Sequence, residues 1–163
     1  MLKKNFSIGI VGLGTVGTAT IQLLEKEIEN INIKSGKNII IKAVSSKNFA
    51  KKRAIDLTKY EWEDNPEQLA TRDDIDAVVE LIGGSDGIAK NLAFSSIKNE
   101  KHFITANKAL IAKYGYELYA NVTGKNVSIY YEAAVAGAIP IIDSIKNGLI
   151  SNNIIGIEAI LNG

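Results

Sequence analysis

The sequence contains no cysteine and only one histidine, His102. The absence of cysteine excludes disulfide bonds, thiolate metal sites and cysteine nucleophiles, and is compatible with a reducing compartment. One imidazole cannot build a histidine-rich metal site, and any Ser–His–Asp triad would have to use His102. Composition therefore excludes cysteine chemistry and disfavours a histidine-rich metal site and a Ser–His–Asp triad.

An excess of either charge and a long apolar run are also missing. Nineteen lysine and arginine residues balance 18 aspartate and glutamate residues, and no basic stripe is interleaved with aromatic residues, which argues against nucleic acid as a partner. The short apolar run near the N-terminus ends in a glycine turn before it reaches the length of a membrane-spanning helix. We therefore expect a soluble, cytoplasmic protein without a membrane partner.

What the sequence does have is a glycine motif behind a short apolar strand. Residues 7–11 are mostly isoleucine and valine, and Gly12, Gly14 and Gly17 follow in the spacing G-x-G-x-x-G. Apolar residues in 15–29 recur every three to five positions, which predicts a helix with one buried face. Strand, glycine turn and helix in this order are typical of a dinucleotide-binding unit.

Each glycine has a separate role in such a unit. Gly12 permits the tight turn, Gly14 lets the backbone approach a pyrophosphate without a Cβ atom in the way, and Gly17 lets helix and strand pack closely. The helix N-terminus then faces the phosphates, because its unpaired N–H groups and its dipole favour an anion. We predict dinucleotide binding here rather than a merely structural turn.

The residues after the second predicted strand, 39–44, bear on the choice of cofactor. An acidic residue there would bind the ribose hydroxyls of NAD, whereas small polar residues beside a cation leave room for a 2′-phosphate. The sequence has Ser45, Ser46 and Lys47, further cations at 51–53, and no carboxylate before Asp56. This pattern favours NADP over NAD; a solvated cationic loop and a site that accepts both are the alternatives.

Strands and helices alternate over the remaining sequence. Strands are predicted at 77–82, 102–105, 127–131 and 154–161, and helices at 66–70, 86–99, 106–122 and 141–149. The Asn65-Pro66 pair predicts a capped helix start. The alternation predicts an α/β fold with a doubly wound, mostly parallel, Rossmann-like sheet.

Several residues near strand ends have both a structural and a functional interpretation. Glu80 is more often a structural carboxylate than a catalytic one, and the glycine pair after 77–82 is placed to pass the nicotinamide half of a cofactor. Lys108, at a helix start, is by itself a surface lysine, and His102 is a satisfied or surface histidine. The small residues of 132–140 allow tight packing, or hold a hard cation through oxygen.

Four segments together resemble homoserine dehydrogenase: VGLGTVG at 11–17, VELIGG at 79–84, TANKALIA at 105–112 and YEAAVAGAIPII at 131–142. The resemblance covers nearly the whole chain, and ANKAL with EAAVAG is far more specific than the glycine motif. It implies NAD(P)-dependent interconversion of L-homoserine and L-aspartate 4-semialdehyde, in the pathway to threonine, methionine and isoleucine. It also implies a dinucleotide-binding domain at 1–135 and the beginning of a substrate and dimerisation region at 136–163.

The resemblance implies roles for individual residues. Lys47 stands where the family often places an arginine near the 2′-phosphate, and Gly83 would border the nicotinamide ribose. Lys108 matches the lysine of the N-K-A-L motif, which lies by nicotinamide and substrate and assists binding or proton transfer. The implied cofactor-binding residues are Gly12, Leu13, Gly14, Thr15, Val16, Gly17, Lys47, Gly83 and Lys108. The implied ligands of a structural sodium ion are Glu132 and the backbone of Val135, Gly137 and Ile139.

Two positions depart from the family pattern. Ala138 stands where a second glycine is usual, and Ala159 replaces the glycine of a closing G-I-x-N-G pattern. The residues that grip homoserine, the catalytic Asp/Lys pair and the sheet that forms a homodimer are expected beyond Gly163. Two functions remain open: the nucleotide-binding portion of a homoserine dehydrogenase, and a non-catalytic NADP-binding module that acts as a sensor or as part of an assembly.

Overall fold

Six parallel strands form one sheet in the computed structural model, which describes residues 4–160. The strands are β1 Lys4–Val11, β2 Lys37–Ser45, β3 Glu61–Trp62, β4 Ala77–Glu80, β5 His102–Thr105 and β6 Ile129–Tyr130. Their order across the sheet is β3-β2-β1-β4-β5-β6. The chain therefore winds outward in both directions from β1, and the predicted doubly wound α/β fold is confirmed.

Three long helices connect the strands: α1 Thr15–Ser35, α2 Ile88–Lys98 and α3 Lys108–Val122. A short helix α4, Ile141–Asp143, continues into one π-helical turn at Ser144–Gly148. Single 3₁₀ turns lie at Leu57–Lys59, Pro66–Ala70 and Glu132–Ala134. The predicted cap before Pro66 is confirmed, because the Asn65 side chain accepts a hydrogen bond from the Glu67 N–H at 3.1 Å.

The sheet separates two apolar clusters. Ile8, Ile10 and Ile21 belong to the cluster that includes part of α1, whereas Leu92 and Leu110 belong to the cluster on the side of α2 and α3. Strand β4 is buried throughout; Ala77 and Val79 belong to the first cluster and Val78 to the second. Burial on both faces is what a parallel sheet covered by helices requires. None of the helices in 4–160 has the length and hydropathy needed to span a bilayer.

Several predicted element boundaries were wrong. The strand predicted at 127–131 is only Ile129–Tyr130, and of the helix predicted at 141–149 only Ile141–Asp143 is α-helical. Two further differences have a visible physical reason. Helix α1 runs to Ser35 instead of residue 29, because nothing breaks the helix before Gly36, which adopts the left-handed conformation at φ 68°. The strand predicted at 77–82 ends at Glu80, because the Ile82 N–H leaves the ladder and donates to the Glu80 carboxylate at 2.8 Å.

The predicted last strand, 154–161, is wrong for residues 154–160, which form no regular structure and are all exposed; Leu161 lies outside the described residues. Its isoleucines have the composition of a strand, but no strand among the described residues pairs with this segment. A strand is stable only beside a partner. The division into 1–135 and 136–163 remains a prediction; none of residues 135–160 is buried.

Candidate functional site

The turn between β1 and α1 is built from glycines that the surrounding backbone requires. Gly12 has φ 101°, and a Cβ atom there would lie 2.6 Å from the carbonyl oxygen of Leu81. A Cβ atom on Gly17 would lie 1.8 Å from the carbonyl oxygen of Gly12. The backbone just after β4 therefore leaves no room for a side chain at Gly12, and the carbonyl of Gly12 leaves none at Gly17, so a side chain at either position would push the elements apart.

Gly14 is different, because apart from its chain neighbours no heavy atom of the described residues lies within 4 Å of the place where its Cβ would be. It is the N-cap of α1, and the first turn of this 21-residue helix carries no acidic residue and no side-chain cap. The open space beside Gly14 faces a helix N-terminus, where N–H groups and the helix dipole favour an anion.

A cavity of about 520 Å³ opens beside this turn, where the strand order reverses between β1 and β4. In parallel α/β sheets this reversal is where ligands bind. Its lining residues are Val11, Gly12, Leu13, Gly14, Ser45, Ser46, Lys47, Asp64, Pro66, Leu81, Ile82, Gly83, Asp86, Ile88 and Ala89. Five of the residues predicted to bind cofactor are among them: Gly12, Leu13, Gly14, Lys47 and Gly83.

The other predicted cofactor residues do not line this cavity. Thr15 and Val16 are exposed in the first turn of α1, and Gly17 is buried beneath them. Lys108 is the first residue of α3 and is exposed, with no hydrogen bond or ion pair to any described residue. The structure thus places Lys108 at the ligand side of the sheet but outside the cavity.

Ser45, at the end of β2, has a buried hydroxyl that lacks a hydrogen-bond partner among the described residues. The residue is 1% exposed and lines the cavity. A buried hydroxyl without a partner is costly, so it calls for one, such as an ordered water or a group of a bound ligand. The orphaned hydroxyl and the open space at Gly14 both fit a bound dinucleotide.

Arg53 fixes the loop after β2. The sequence had marked this residue only as one of the cations at 51–53. All five guanidinium N–H groups of arginine have an acceptor here. The acceptors are the carbonyl oxygens of Leu13 at 3.2 Å, Phe49 at 3.3 Å, Lys51 at 2.8 Å and Asn48 at 2.6 Å, and the Ser46 hydroxyl at 3.2 Å. Lys47, in the same loop, is exposed and has no bonding partner among the described residues.

A buried polar network lies under the ends of β4 and β5. Glu80 is 0% exposed and accepts hydrogen bonds from the Thr105 hydroxyl at 2.5 Å and the Ile82 N–H at 2.8 Å. Burial raises the pKa of the Glu80 carboxyl above its ordinary value, although these hydrogen bonds act in the opposite direction. The structural interpretation of Glu80 is therefore supported.

Asn107 extends this network to the helix that carries Lys108. Its N–H donates to the Thr105 hydroxyl at 2.9 Å, its side-chain N–H donates to the Gly84 carbonyl at 2.6 Å, and its side-chain oxygen caps the Leu110 N–H at 3.1 Å. The start of α3 and the glycine pair after β4 are thereby held in one arrangement.

Asp86 lines the cavity but was missed by sequence reasoning, since nothing in its surroundings marks it. Its carboxylate accepts from Lys113 Nζ at 2.8 Å and from the Tyr114 hydroxyl at 2.5 Å. These donors, Lys113 first, hold the pKa of the Asp86 carboxyl well below its usual range. The contacts tie the turn after β4 to the middle of α3.

The predicted cation ligands lie in the turn that precedes α4. The Glu132 carboxylate accepts hydrogen bonds from the N–H groups of Ile142 at 2.9 Å and Asp143 at 3.1 Å, and the Ile139 carbonyl accepts from the Ile141 N–H at 2.8 Å. Glu132 thus caps α4. Ala138 has φ 59°, the left-handed conformation that glycine adopts without strain.

The His102 ring is satisfied, as predicted, because its Nδ1 accepts from the Ser128 N–H at 3.1 Å. Burial lowers the pKa of His102. The ring lies at the start of β5, at the opposite end of that strand from Thr105 and the buried network. The one imidazole of the chain therefore stabilises the strand pair and has no part in the cavity.

A parallel sheet that reverses its order beside a glycine turn, a helix N-terminus and an open cavity defines a dinucleotide-binding domain. Residues 12–132 match the family model described as homoserine dehydrogenase, NAD binding domain. The chain belongs to this family, which confirms the resemblance seen in its motifs.

Comparison with individual relatives agrees with this family assignment. The chain is 42% identical over 160 residues to the homoserine dehydrogenase of Neisseria gonorrhoeae. The aligned region covers 98% of this chain and 36% of that relative. The chain is 40% identical over 162 residues to the homoserine dehydrogenase of Helicobacter pylori, covering 99% and 37%. The crystal structure of a homoserine dehydrogenase from Thiobacillus denitrificans superposes with a TM-score of 0.83 at 40% identity, over 92% of this chain and 34% of that chain. The chain thus spans roughly a third of the length of the relatives it matches.

Proposed function

We propose that this chain is the NADP-binding portion of a homoserine dehydrogenase, which interconverts L-homoserine and L-aspartate 4-semialdehyde. The observation that carries the proposal is the cavity at the strand-order reversal, bordered by Gly14 and Ser45. The family membership of residues 12–132 supplies the reaction.

Different residues around the cavity bind different parts of the dinucleotide. The Gly12–Gly17 turn and the N–H groups of α1 hold the pyrophosphate, and Lys47 neutralises a 2′-phosphate. The Ser45 hydroxyl receives a hydrogen bond from, or donates one to, the adenosine ribose, and Gly83 borders the nicotinamide ribose. The bound nicotinamide supplies the hydride chemistry, for which the protein provides proximity and orientation.

Lys108 is proposed to hold the substrate or to move a proton at its hydroxyl group. Its support is positional: the buried Glu80–Thr105–Asn107 network fixes the first turn of α3, while the Lys108 side chain itself stays exposed and unpaired among the described residues. A small charged substrate that lies beyond the cavity mouth would meet this ammonium group.

A structural sodium ion is proposed at Glu132 and the backbone carbonyls of Val135, Gly137 and Ile139. Glu132 and these residues lie in one segment, 132–139, between β6 and α4, and each carboxylate oxygen that accepts one N–H keeps a further lone pair. The cation would fix the turn that leads into the region 136–163. The exposed isoleucines of that region, Ile150, Ile154, Ile155, Ile157 and Ile160, support its assignment to a substrate and dimerisation region.

Turnover separates this function from a non-catalytic NADP-binding module. The chain is mixed with L-homoserine and NADP⁺, NADPH formation is followed, and binding of NADPH is measured on the same sample. Binding with turnover supports the dehydrogenase, whereas binding without turnover supports, for this chain by itself, the non-catalytic NADP-binding module.

Lys108→Ala is the matched variant for the turnover measurement. Because Lys108 is exposed and unpaired among the described residues, the substitution should leave the melting temperature and the NADPH affinity unchanged. It should lower the rate of NADPH formation. An unchanged rate would remove Lys108 from the proposed mechanism.

A further inference from the structure

We propose that Arg53 is a positioning residue of the cofactor site. It holds the loop of residues 46–52, and with it Lys47, against the glycine turn, so the preference for a 2′-phosphate depends on it. This inference rests on the proposed NADP-binding function and adds to it a residue that touches no cofactor.

The hydrogen bonds of Arg53 join two parts of the cavity wall. Its Nε donates to the carbonyl oxygen of Leu13 in the glycine turn at 3.2 Å, while Nη1 and Nη2 donate only within 46–51. The guanidinium group is thus the link between the pyrophosphate turn and the loop that carries Lys47. Lysine cannot replace it, because an ammonium group has three donors and no planar fork.

Arg53 acts through the loop and not on the phosphate itself. Its five N–H groups are all used in the five contacts above, so none is left for a ligand oxygen. Lys47 lines the cavity, is exposed and has no partner among the described residues. Among the lysines of this loop, Lys47 is the one that lines the cavity and can meet a phosphate there, whereas Arg53 is bound into the protein.

An aromatic contact makes the loop position measurable. Phe49 packs edge-on against Trp62, with ring centroids 4.8 Å apart, and Trp62 is the single tryptophan of the chain. The Trp62 indole N–H donates to Asp64, which lines the cavity, at 2.7 Å. Trp62 emission therefore reports the loop with or without cofactor.

The test compares Arg53→Lys and Arg53→Gln with Lys52→Ala. Lys52 is an exposed cation in the same loop with no partner among the described residues, so Lys52→Ala controls for lost charge. We expect Arg53→Lys to weaken NADPH binding about tenfold and NADH binding less than about threefold, the usual effect of losing hydrogen bonds from a charged group. Arg53→Gln should act in the same direction. Both should red-shift Trp62 emission without cofactor, while Lys52→Ala leaves it unchanged.

A double-mutant cycle with Lys47→Ala separates positioning from direct contact. With Lys47 removed, Arg53→Lys should weaken NADPH no more than it weakens NADH, because the loop no longer carries the phosphate ligand. If Arg53→Lys keeps the wild-type ratio of NADPH to NADH affinity in a folded protein, the positioning role is wrong.

Failure of the proposed function has a different signature. In that case the wild-type chain binds neither dinucleotide, although Arg53→Lys still shifts Trp62 emission. If Arg53→Lys leaves both the emission and the affinity ratio of the wild type unchanged, only the inference about Arg53 is overturned.

Discussion

Gly17 faces the carbonyl oxygen of Gly12 so closely that a Cβ atom on residue 17 would lie 1.8 Å from that oxygen. This contact lets α1 begin directly against the end of β1. Gly14, between the two, meets no heavy atom of the described residues within 4 Å apart from its chain neighbours. The motif therefore combines two glycines that the fold requires with one that leaves space for a ligand.

The first prediction separates these roles by substitution. Gly14→Val should change the free energy of unfolding by less than about 1 kcal/mol, the usual difference between N-cap residues. It should abolish NADPH binding, because the added side chain fills the space for the pyrophosphate. Gly17→Ala should instead destabilise the fold by about 3 kcal/mol, since the backbone must move to accept the Cβ atom. Urea unfolding and calorimetry measure the two effects.

Normal NADPH binding by a folded Gly14→Val protein would show that the motif does not bind the pyrophosphate. A Gly17→Ala protein as stable as the wild type would show that α1 does not pack as described.

The second prediction concerns the orphaned hydroxyl of Ser45. Ser45→Ala removes a buried polar atom that has no partner in the described residues, so stability should stay the same or rise by up to about 1 kcal/mol. Affinity for the dinucleotide should fall about fivefold, as expected for one lost hydrogen bond. Thermal melting and calorimetry are the measurements.

Ser96→Ala is the matched control, because Ser96 is equally buried but its hydroxyl already donates to the Leu92 carbonyl at 2.7 Å. It should leave cofactor affinity unchanged. Equal affinities for the wild type and Ser45→Ala would mean that this hydroxyl has no role in binding.

The third prediction is a pH dependence from Glu80. Because its pKa is raised in the folded protein, the folded state holds the proton more tightly, and this carboxyl costs stability progressively as pH rises above its ordinary value of 4.5. Glu80→Gln cannot titrate. Its free energy of unfolding relative to the wild type should therefore increase as pH is raised from 4.5.

Glu61→Gln is the comparison variant, because the contribution of Glu61 to the free energy of unfolding changes with pH in the opposite direction. The pKa of Glu61 is lowered, first by its hydrogen bond from Lys42 and then by that from Arg72, so Glu61 stabilises the fold above its ordinary pKa and loses this contribution as pH falls. Urea unfolding across a pH series should show the two differences changing in opposite directions. Parallel pH profiles for Glu80→Gln and the wild type would contradict the role of burial.

The fourth prediction tests the sodium ion. If Glu132 and its turn bind a monovalent cation, sodium chloride should raise the melting temperature more than choline chloride at equal ionic strength. Glu132→Gln should remove this difference, while Glu158→Gln, an exposed carboxylate in the following segment, should keep it. An identical response to the two salts would leave Glu132 as a helix cap alone.

Local sequence pattern predicted most of the fold. The glycine spacing, the isoleucine-rich strands and the Asn65-Pro66 cap are local signals, and the elements follow them. The strand at 154–160 was wrong because isoleucine content reflects only strand preference, and no strand among the described residues pairs with this segment. Residue composition favours a strand, but whether the strand forms depends on another strand that pairs with it.

The candidate site was predictable only in part. Gly12, Gly14 and Lys47 follow from spacing and charge, and the structure brings them to one cavity. The contacts of Arg53 with Leu13 and of Thr105 with Glu80 join residues 40 and 25 positions apart, so they depend on strand register. The orphaned Ser45 hydroxyl is likewise visible only once the packing is known.

The most direct measurement is a titration of the chain with NADPH and, separately, with NADH, followed by Trp62 fluorescence and by calorimetry. Saturable binding of one molecule per chain, tighter for NADPH, is the predicted result, and it should be lost in Gly14→Val. Absence of binding for both dinucleotides would contradict the central claim that the cavity between β1, β2 and β4 is a working cofactor site.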